Sequence, residues 1–107
     1  MGKNENYAEI GMKEFILKED YDKKIGKGIN KLLGIPIISR GFPVGSKSSI
    51  MYETYHKNGV TICLKEERLE GKGTRASFEL VSDIVILNGL VKKILKIIPG
   101  KVNFHMK

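Results

Sequence analysis

Asn58-Gly59 constrains this chain more than any other feature. It lies between two runs in which apolar and polar residues alternate, Ser49 to His56 and Val60 to Leu69. An Asn-Gly pair at such a junction favours a two-residue hairpin turn, so the runs are predicted to fold back on each other as antiparallel strands. That register pairs Lys57 with Val60, His56 with Thr61 and Thr54 with Cys63. Glu70-Gly71-Lys72-Gly73 supplies a second turn. Thr74 to Val81 then forms a third strand, with Ala76, Phe78 and Leu80 on one face and Arg75, Ser77 and Glu79 on the other. A three-stranded meander with one apolar face requires a covering layer.

The flanks of the meander provide that cover. In Asp20 to Leu33, Tyr21, Ile25, Ile29, Leu32 and Leu33 make a helical apolar stripe; Asp20 can cap it, Asp22 suits its first turn, and Gly34 with Pro36 ends it. In the segment from the N-cap Ser82 to Ile98, Ile84, Leu87, Val91, Leu95 and Ile98 fall at helical spacing, with Ile94 beside them. Asp83 complements the N-terminal dipole of that helix, and Pro99-Gly100 stops it. Glu9 to Lys18 fits either a strand or a helix, and the Phe15-Ile16-Leu17 cluster favours a strand. Residues 35–48 read as a connector without regular structure because of their two Pro and two Gly. The tail Lys101 to Lys107 alternates Val102, Phe104 and Met106 with polar residues, as an added edge strand would. The expected fold class is α+β: an antiparallel meander of three to five strands with two helices packed on one face. It forms one domain over residues 1–107, with residues 1–8 frayed.

Composition narrows the classes of function. The chain is 41% hydrophobic, enough to build a core, but it has no Trp and only four Phe and four Tyr, so surfaces for stacking bases are scarce. Cys63 is the single cysteine, which excludes an internal disulfide and any multi-cysteine zinc site. Neither His56 nor His105 has a partner at metal-ligand spacing, so no metal and no cofactor are expected. Cys63, flanked by Ile62 and Leu64, reads as a small buried hydrophobe. Glu66, Glu67 and Glu70 read as a charged surface near the second turn. The first fifteen residues carry charges of both signs and no unbroken apolar run, and Ile84 to Ile98 is interrupted by Asn88, Gly89 and three lysines. A cytoplasmic protein is the expectation.

Charge is segregated along the chain. Residues 23–52 and 84–107 contain eleven Lys or Arg and no Asp or Glu, within a net charge of +7. Sixteen of the nineteen basic residues are Lys, which base composition alone can produce, but such a bias does not keep acids out of two particular blocks. Lys24, Lys27 and Lys31 fall at i, i+3, i+7 on the first helix. Lys92 and Lys96 are i, i+4 on the second, with Lys93 beside them. Like charges at that spacing repel by about 0.2–0.5 kcal/mol per pair, and an anionic ligand would relieve them. Ordinary solvated helix faces show the same pattern. The segment Gly41-Phe42-Pro43-Val44-Gly45-Ser46-Lys47-Ser48 approaches a phosphate-binding loop but has the wrong glycine spacing and Ser46 before Lys47. It retains the capacity to cradle one phosphate through Ser46, Lys47 and backbone N–H groups.

The order helix, three strands, helix resembles that of double-stranded-RNA-binding domains, but the glycine and lysine signature that opens their last helix is absent and membership is not claimed. The expected function is a non-enzymatic basic domain that contacts nucleic acid or another polyanion through Lys24, Lys27, Lys31, Arg40, Ser46, Lys47, Lys92, Lys93 and Lys96. The alternative is a small adaptor or inhibitor that docks on an acidic protein surface by a sheet edge and the Phe42 to Val44 strip. A homodimer through a sheet edge is compatible with both. The second helix is cationic and amphipathic, yet its apolar residues are needed as core, so a membrane surface is not the expected partner. An enzyme would require a pocket that gathers Cys63, His56 and a carboxylate.

Overall fold

The apolar face of the meander is continued by strands on both sides. The computed structural model describes residues 6–82, 84–98 and 100–105. Six strands, β1 (Asn6–Met12), β2 (Ile38–Pro43), β3 (Ser49–Lys57), β4 (Val60–Leu69), β5 (Gly73–Ser82) and β6 (Gly100–His105), form one antiparallel sheet in the order β2-β3-β4-β5-β1-β6. The fold is α+β, with six strands where three to five were expected. Asn58 and Gly59 both take positive φ, and the predicted pairs Lys57 with Val60, His56 with Thr61 and Thr54 with Cys63 all form.

Alternation decides which face is covered. Ala8, Ile10 and Met12 of β1, Val60, Ile62 and Leu64 of β4, and Ala76, Phe78 and Leu80 of β5 share one buried face. Both helices pack there and contribute Tyr21, Ile25, Ile29 and Leu33, and Leu87, Leu90, Val91 and Ile94, to the same core, which Ile98 joins from beyond the second helix. The opposite face has no helical cover and carries Tyr52, Thr54, Cys63, Lys65, Glu67, Arg75, Ser77 and Glu79. Arg75 anchors one corner of it: Nη2 and Nε donate to Glu67 Oε1 at 3.0 and 3.2 Å, and the guanidinium lies 4.3 Å from the centre of the Phe15 ring. Arg75→Ala is expected to cost about 1 kcal/mol, since the cross-strand pair and ring contact are half-exposed. Urea denaturation of the Arg75→Ala, Glu67→Ala and double variants measures the pair directly.

The first helix runs over residues 18–33 in three parts: an α-helical turn Lys18–Asp20, a π-helical middle Tyr21–Gly26 and an α-helical end Lys27–Leu33. Tyr21, Ile25, Ile29 and Leu33 repeat every four residues, which is more than the 3.6 of an α-helix, and the wider π turn helps keep that stripe on the sheet. The second helix is Ile84–Leu95, and it ends before the expected Ile98. Among the described residues no helix is long and apolar enough to cross a membrane.

Several expectations need correction. The frayed N-terminus does not extend to residues 6–8, because β1 begins at Asn6 and Ala8 is fully buried. The strand expected from Glu9 to Lys18 ends at Met12; Ile16 makes an isolated bridge to Thr74, and the helix starts at Lys18. The connector 35–48 contains β2, an edge strand whose six residues are all exposed. Ser82, expected as the N-cap of the second helix, is the last residue of strand β5. Its hydroxyl donates to Gly59 O at 3.3 Å. Cys63 is exposed on the uncovered face, not buried. Residues 1–5, Asp83, Pro99, Met106 and Lys107 lie outside the described residues, as do the side chains of Ile84, Lys101, Phe104 and His105.

Candidate nucleic-acid interface

Burial of one stripe on each helix turns the lysines to the other side. Tyr21, Ile25, Ile29 and Leu33 are buried, whereas Lys23, Lys24, Lys27 and Lys31 are exposed; Leu90, Val91 and Ile94 are buried, whereas Lys92, Lys93 and Lys96 are exposed. Lys96 lies in the turn that follows the second helix. The acidic residues of the first helix, Glu19, Asp20 and Asp22, all fall in its opening turns, and Asp22 is paired with Lys18 at 2.9 Å. Beyond Asp22 the helix is purely cationic.

Two contacts tie the first helix to its surroundings. At Gly28 the absence of a side chain admits Ile97, whose Cγ2 would lie 3.0 Å from a Cβ at that position. Further along, the Lys57 ammonium of the β3–β4 hairpin donates to Leu32 O and lines a cleft with Lys93, Gly89 and Leu90. Gly28 therefore faces the residues just after the second helix. Lys24 lines a crevice with Ile97 as well.

The remaining predicted residues are elsewhere. Arg40 is not in a loop between layers but in β2, opposite Tyr52, with its side chain on the uncovered face. Ser46 and Lys47 lie in the exposed β2–β3 turn, where Lys47 is 3.7 Å from Glu70 Oε1 and Ser48 Oγ accepts from the Glu70 N–H at 3.1 Å. That turn is tied to the β4–β5 turn, near the acidic start of the first helix. The structure thus groups six of the nine predicted residues on the helix layer and separates Arg40, Ser46 and Lys47 from them.

No family model matches the chain, and no curated protein matches it.

The catalytic grouping of Cys63, His56 and a carboxylate does not assemble. A shallow cavity of about 160 Å³ on the uncovered face joins Cys63 with Glu79 and Lys65, while His56 Nδ1 faces Thr61 Oγ1 at 3.3 Å outside it. Among the described residues no group of three or more His, Cys, Asp or Glu side chains is arranged to hold a metal ion.

One acidic residue departs from the surface cluster expected of Glu66, Glu67 and Glu70. Glu67 pairs with Arg75 and Glu70 with Lys47, as surface residues do, but Glu66 is only 7% exposed and lies under the first helix. The signal was its parity: Glu66 follows Val60, Ile62 and Leu64 in steps of two. Burial and the Glu66 carboxylate raise the Glu53 pKa above the usual carboxylate range, while a 3.3 Å hydrogen bond from the Tyr55 hydroxyl and the nearby Arg68 oppose the shift. A raised folded-state pKa means that folding favours the protonated form, so stability is lost as pH rises through that pKa. Glu53→Gln is accordingly expected to melt above the wild type at about pH 7 and to lose that advantage below about pH 4. Thermal melts of both proteins at the two pH values check this.

Proposed function

We propose that this chain is a non-enzymatic binding domain that grips nucleic acid, as a polyanion, through Lys24, Lys27, Lys31, Lys92, Lys93 and Lys96. The observation that carries this reading is that both helices bury their apolar stripes in one core on the same face of the sheet while all six lysines stay exposed. The opposite sheet face mixes signs, with Glu9, Glu67 and Glu79 beside Lys65 and Arg75, and gives a polyanion no comparable footing. Lysine presents a point charge, suited to phosphate but not to bidentate reading of base edges. The only aromatic residue of the two helices, Tyr21, is buried, so stacking on bases has no platform there. Backbone contact with little sequence preference follows, driven by counterion release. Fluorescence anisotropy with labelled duplex DNA, duplex RNA and single strands of mixed sequence, in about 50 mM salt, tests this. Binding to several of these with similar affinity is expected, and no binding to any would end the proposal.

A second reading is supported by the β2 edge. Ile35, Ile37, Ile38, Phe42, Val44 and Tyr52 are all exposed there, next to Arg40 and without an acid in residues 23–52. An acidic protein partner with an apolar ridge would suit that rim. A stoichiometric complex that survives nuclease and is lost in Phe42→Ser would favour this second reading.

A further inference from the structure

β2 is the last strand in the order β2-β3-β4-β5-β1-β6, and among the described residues no strand lies beyond it. Which of its backbone groups face outward follows from its pairing with β3. Pro43 is opposite Ser49, and just past it the Val44 N–H donates to Ser48 O at 2.8 Å. Hydrogen-bonded pairs alternate along an antiparallel ladder, so Phe42, Arg40 and Ile38 also bond inward to β3, while Ser39 and Gly41 direct N–H and C=O away from the sheet. Pro43 has the same outward parity but offers only its carbonyl. The edge therefore presents two donors followed by a position that can only accept.

Side chains leave the approach to this edge open. Arg40 is the only charged residue of β2, and it lies on the uncovered face between Ile38 and Phe42, whose ring is met edge-on by Tyr52 with centres 5.8 Å apart. On the helix side Ser39, Gly41 and Pro43 are small, and a Cβ at Gly41 would meet nothing nearer than Met51 Cγ at 3.9 Å. A second β2 laid antiparallel with Gly41 on a two-fold axis fits this pattern. Gly41 N–H then donates to Gly41 O of the second copy, and Ser39 N–H to Pro43 O of the second copy. Symmetry repeats both bonds, so every outward donor is used and Pro43 is required only to accept. On the uncovered face Arg40 falls opposite Phe42 of the second copy, a cation–π pair made twice, and Ile38 falls opposite Val44. Moving the axis to Arg40 would set the two guanidinium groups opposite each other, so charge selects the register centred on Gly41.

We propose that β2 pairs with β2 of a second copy of this chain, antiparallel about Gly41, and joins the two sheets into one across a two-fold axis. That axis stands perpendicular to the sheet, so both helix layers fall on the same side. A contact of about six residues a side is small, which makes the dimer concentration-dependent, with a Kd of about 10–100 μM. The pairing does not rest on nucleic-acid binding and is tested without it.

Sedimentation equilibrium of the intact, nuclease-treated chain from about 5 μM to 1 mM tests the proposal. The average mass is expected to rise with concentration from 12.0 kDa towards twice that value. Gly41→Pro removes the donor on the axis at an edge position where proline is tolerated, and should weaken the dimer at least about tenfold. Cysteine cross-linking in a Cys63→Ser background gives a second readout that does not depend on the fold of the proline variant. In Gly41→Cys the two Cα atoms would stand about 5.5 Å apart, within disulfide reach, whereas in Ser39→Cys they would be about 13 Å apart along the strands. Mild oxidation should therefore join Gly41→Cys into a dimer at least about tenfold faster than Ser39→Cys. The proposal is overturned if the chain stays monomeric up to about 1 mM, as it would were the edge kept for an acidic protein. It is equally overturned if a folded Gly41→Pro dimerises like the wild type, or if the two cysteine variants cross-link at the same rate.

Discussion

Replacing Lys24, Lys27, Lys31, Lys92, Lys93 and Lys96 together by Gln is expected to weaken binding to duplex nucleic acid by about 10³-fold or more at about 100 mM salt. Each phosphate neutralised by a lysine releases close to one condensed counterion, and six such contacts supply most of a non-specific affinity. The variant should remain folded. All six side chains are exposed, Gln and Lys have nearly equal helix propensity, and removing like charges at i, i+3 and i, i+4 relieves repulsion. Net charge falls from +7 to +1, so charge alone could mimic the effect. A second variant separates the two. Replacing Lys13, Arg40, Lys47, Lys65 and Lys72, all off the helices, lowers the net charge to +2 but leaves the helix layer intact. It should bind within about tenfold of the wild type if the arrangement of charge matters, and should lose nearly as much as the helix variant if only the total does. Anisotropy titrations of the three proteins, with circular dichroism as the check on folding, read this out.

Gly73→Ala should destabilise the fold by about 3 kcal/mol, among the largest effects of any single methyl group in the chain. Gly73 has φ +103°, where a side chain is strained, and an added Cβ would lie 2.0 Å from the carbonyl oxygen of Ile16. That carbonyl accepts from Thr74 N–H at 2.7 Å, and Ile16 N–H donates back to Thr74 O at 3.0 Å. Leu17 O then accepts the Tyr21 N–H at 2.9 Å, so the bridge anchors the start of the first helix to β5. A methyl at Gly73 cannot be accommodated without opening this clamp. Gly71 provides the comparison: its φ is +79°, but nothing lies within 4 Å of an added Cβ. Gly71→Ala should therefore cost only about 1 kcal/mol, from backbone strain alone. Equal losses in the two variants, by urea denaturation, would show that the approach to Ile16 contributes nothing.

The parts of the fold legible in the sequence are those with local rules. Asn58-Gly59 and the period-two runs specify the hairpin and its register, and the apolar stripes identify both helices because burial on one side leaves a periodic trace. β2 leaves none. It is an edge strand exposed on both sides, and edge position is what allows Pro43 to lie within it opposite Ser49. The start of β1 was obscured by its buried residues, since Asn6 and Ala8 are neither large nor strongly apolar. Cys63 and Glu66 each keep the parity of their face along β4, but Ile62 and Leu64 on either side of Cys63 give it the local look of an apolar run. What alternation and periodicity do not contain is how two helices sit relative to each other. That depends on the gap at Gly28 and on Ile97 filling it, a contact between residues far apart in the chain. The same limit hid a cleft of about 330 Å³ whose walls come from the first helix, β3 and β4.

The slope of log K against log salt concentration, measured for the wild-type protein on duplex nucleic acid, tests the central claim most directly. Six lysines in contact with phosphates predict a slope of about −5, falling towards zero when the six are replaced by Gln. A slope near zero in the wild type, or one of about −5 that persists unchanged in the Gln variant, would contradict the assignment of the helix layer as the contact surface.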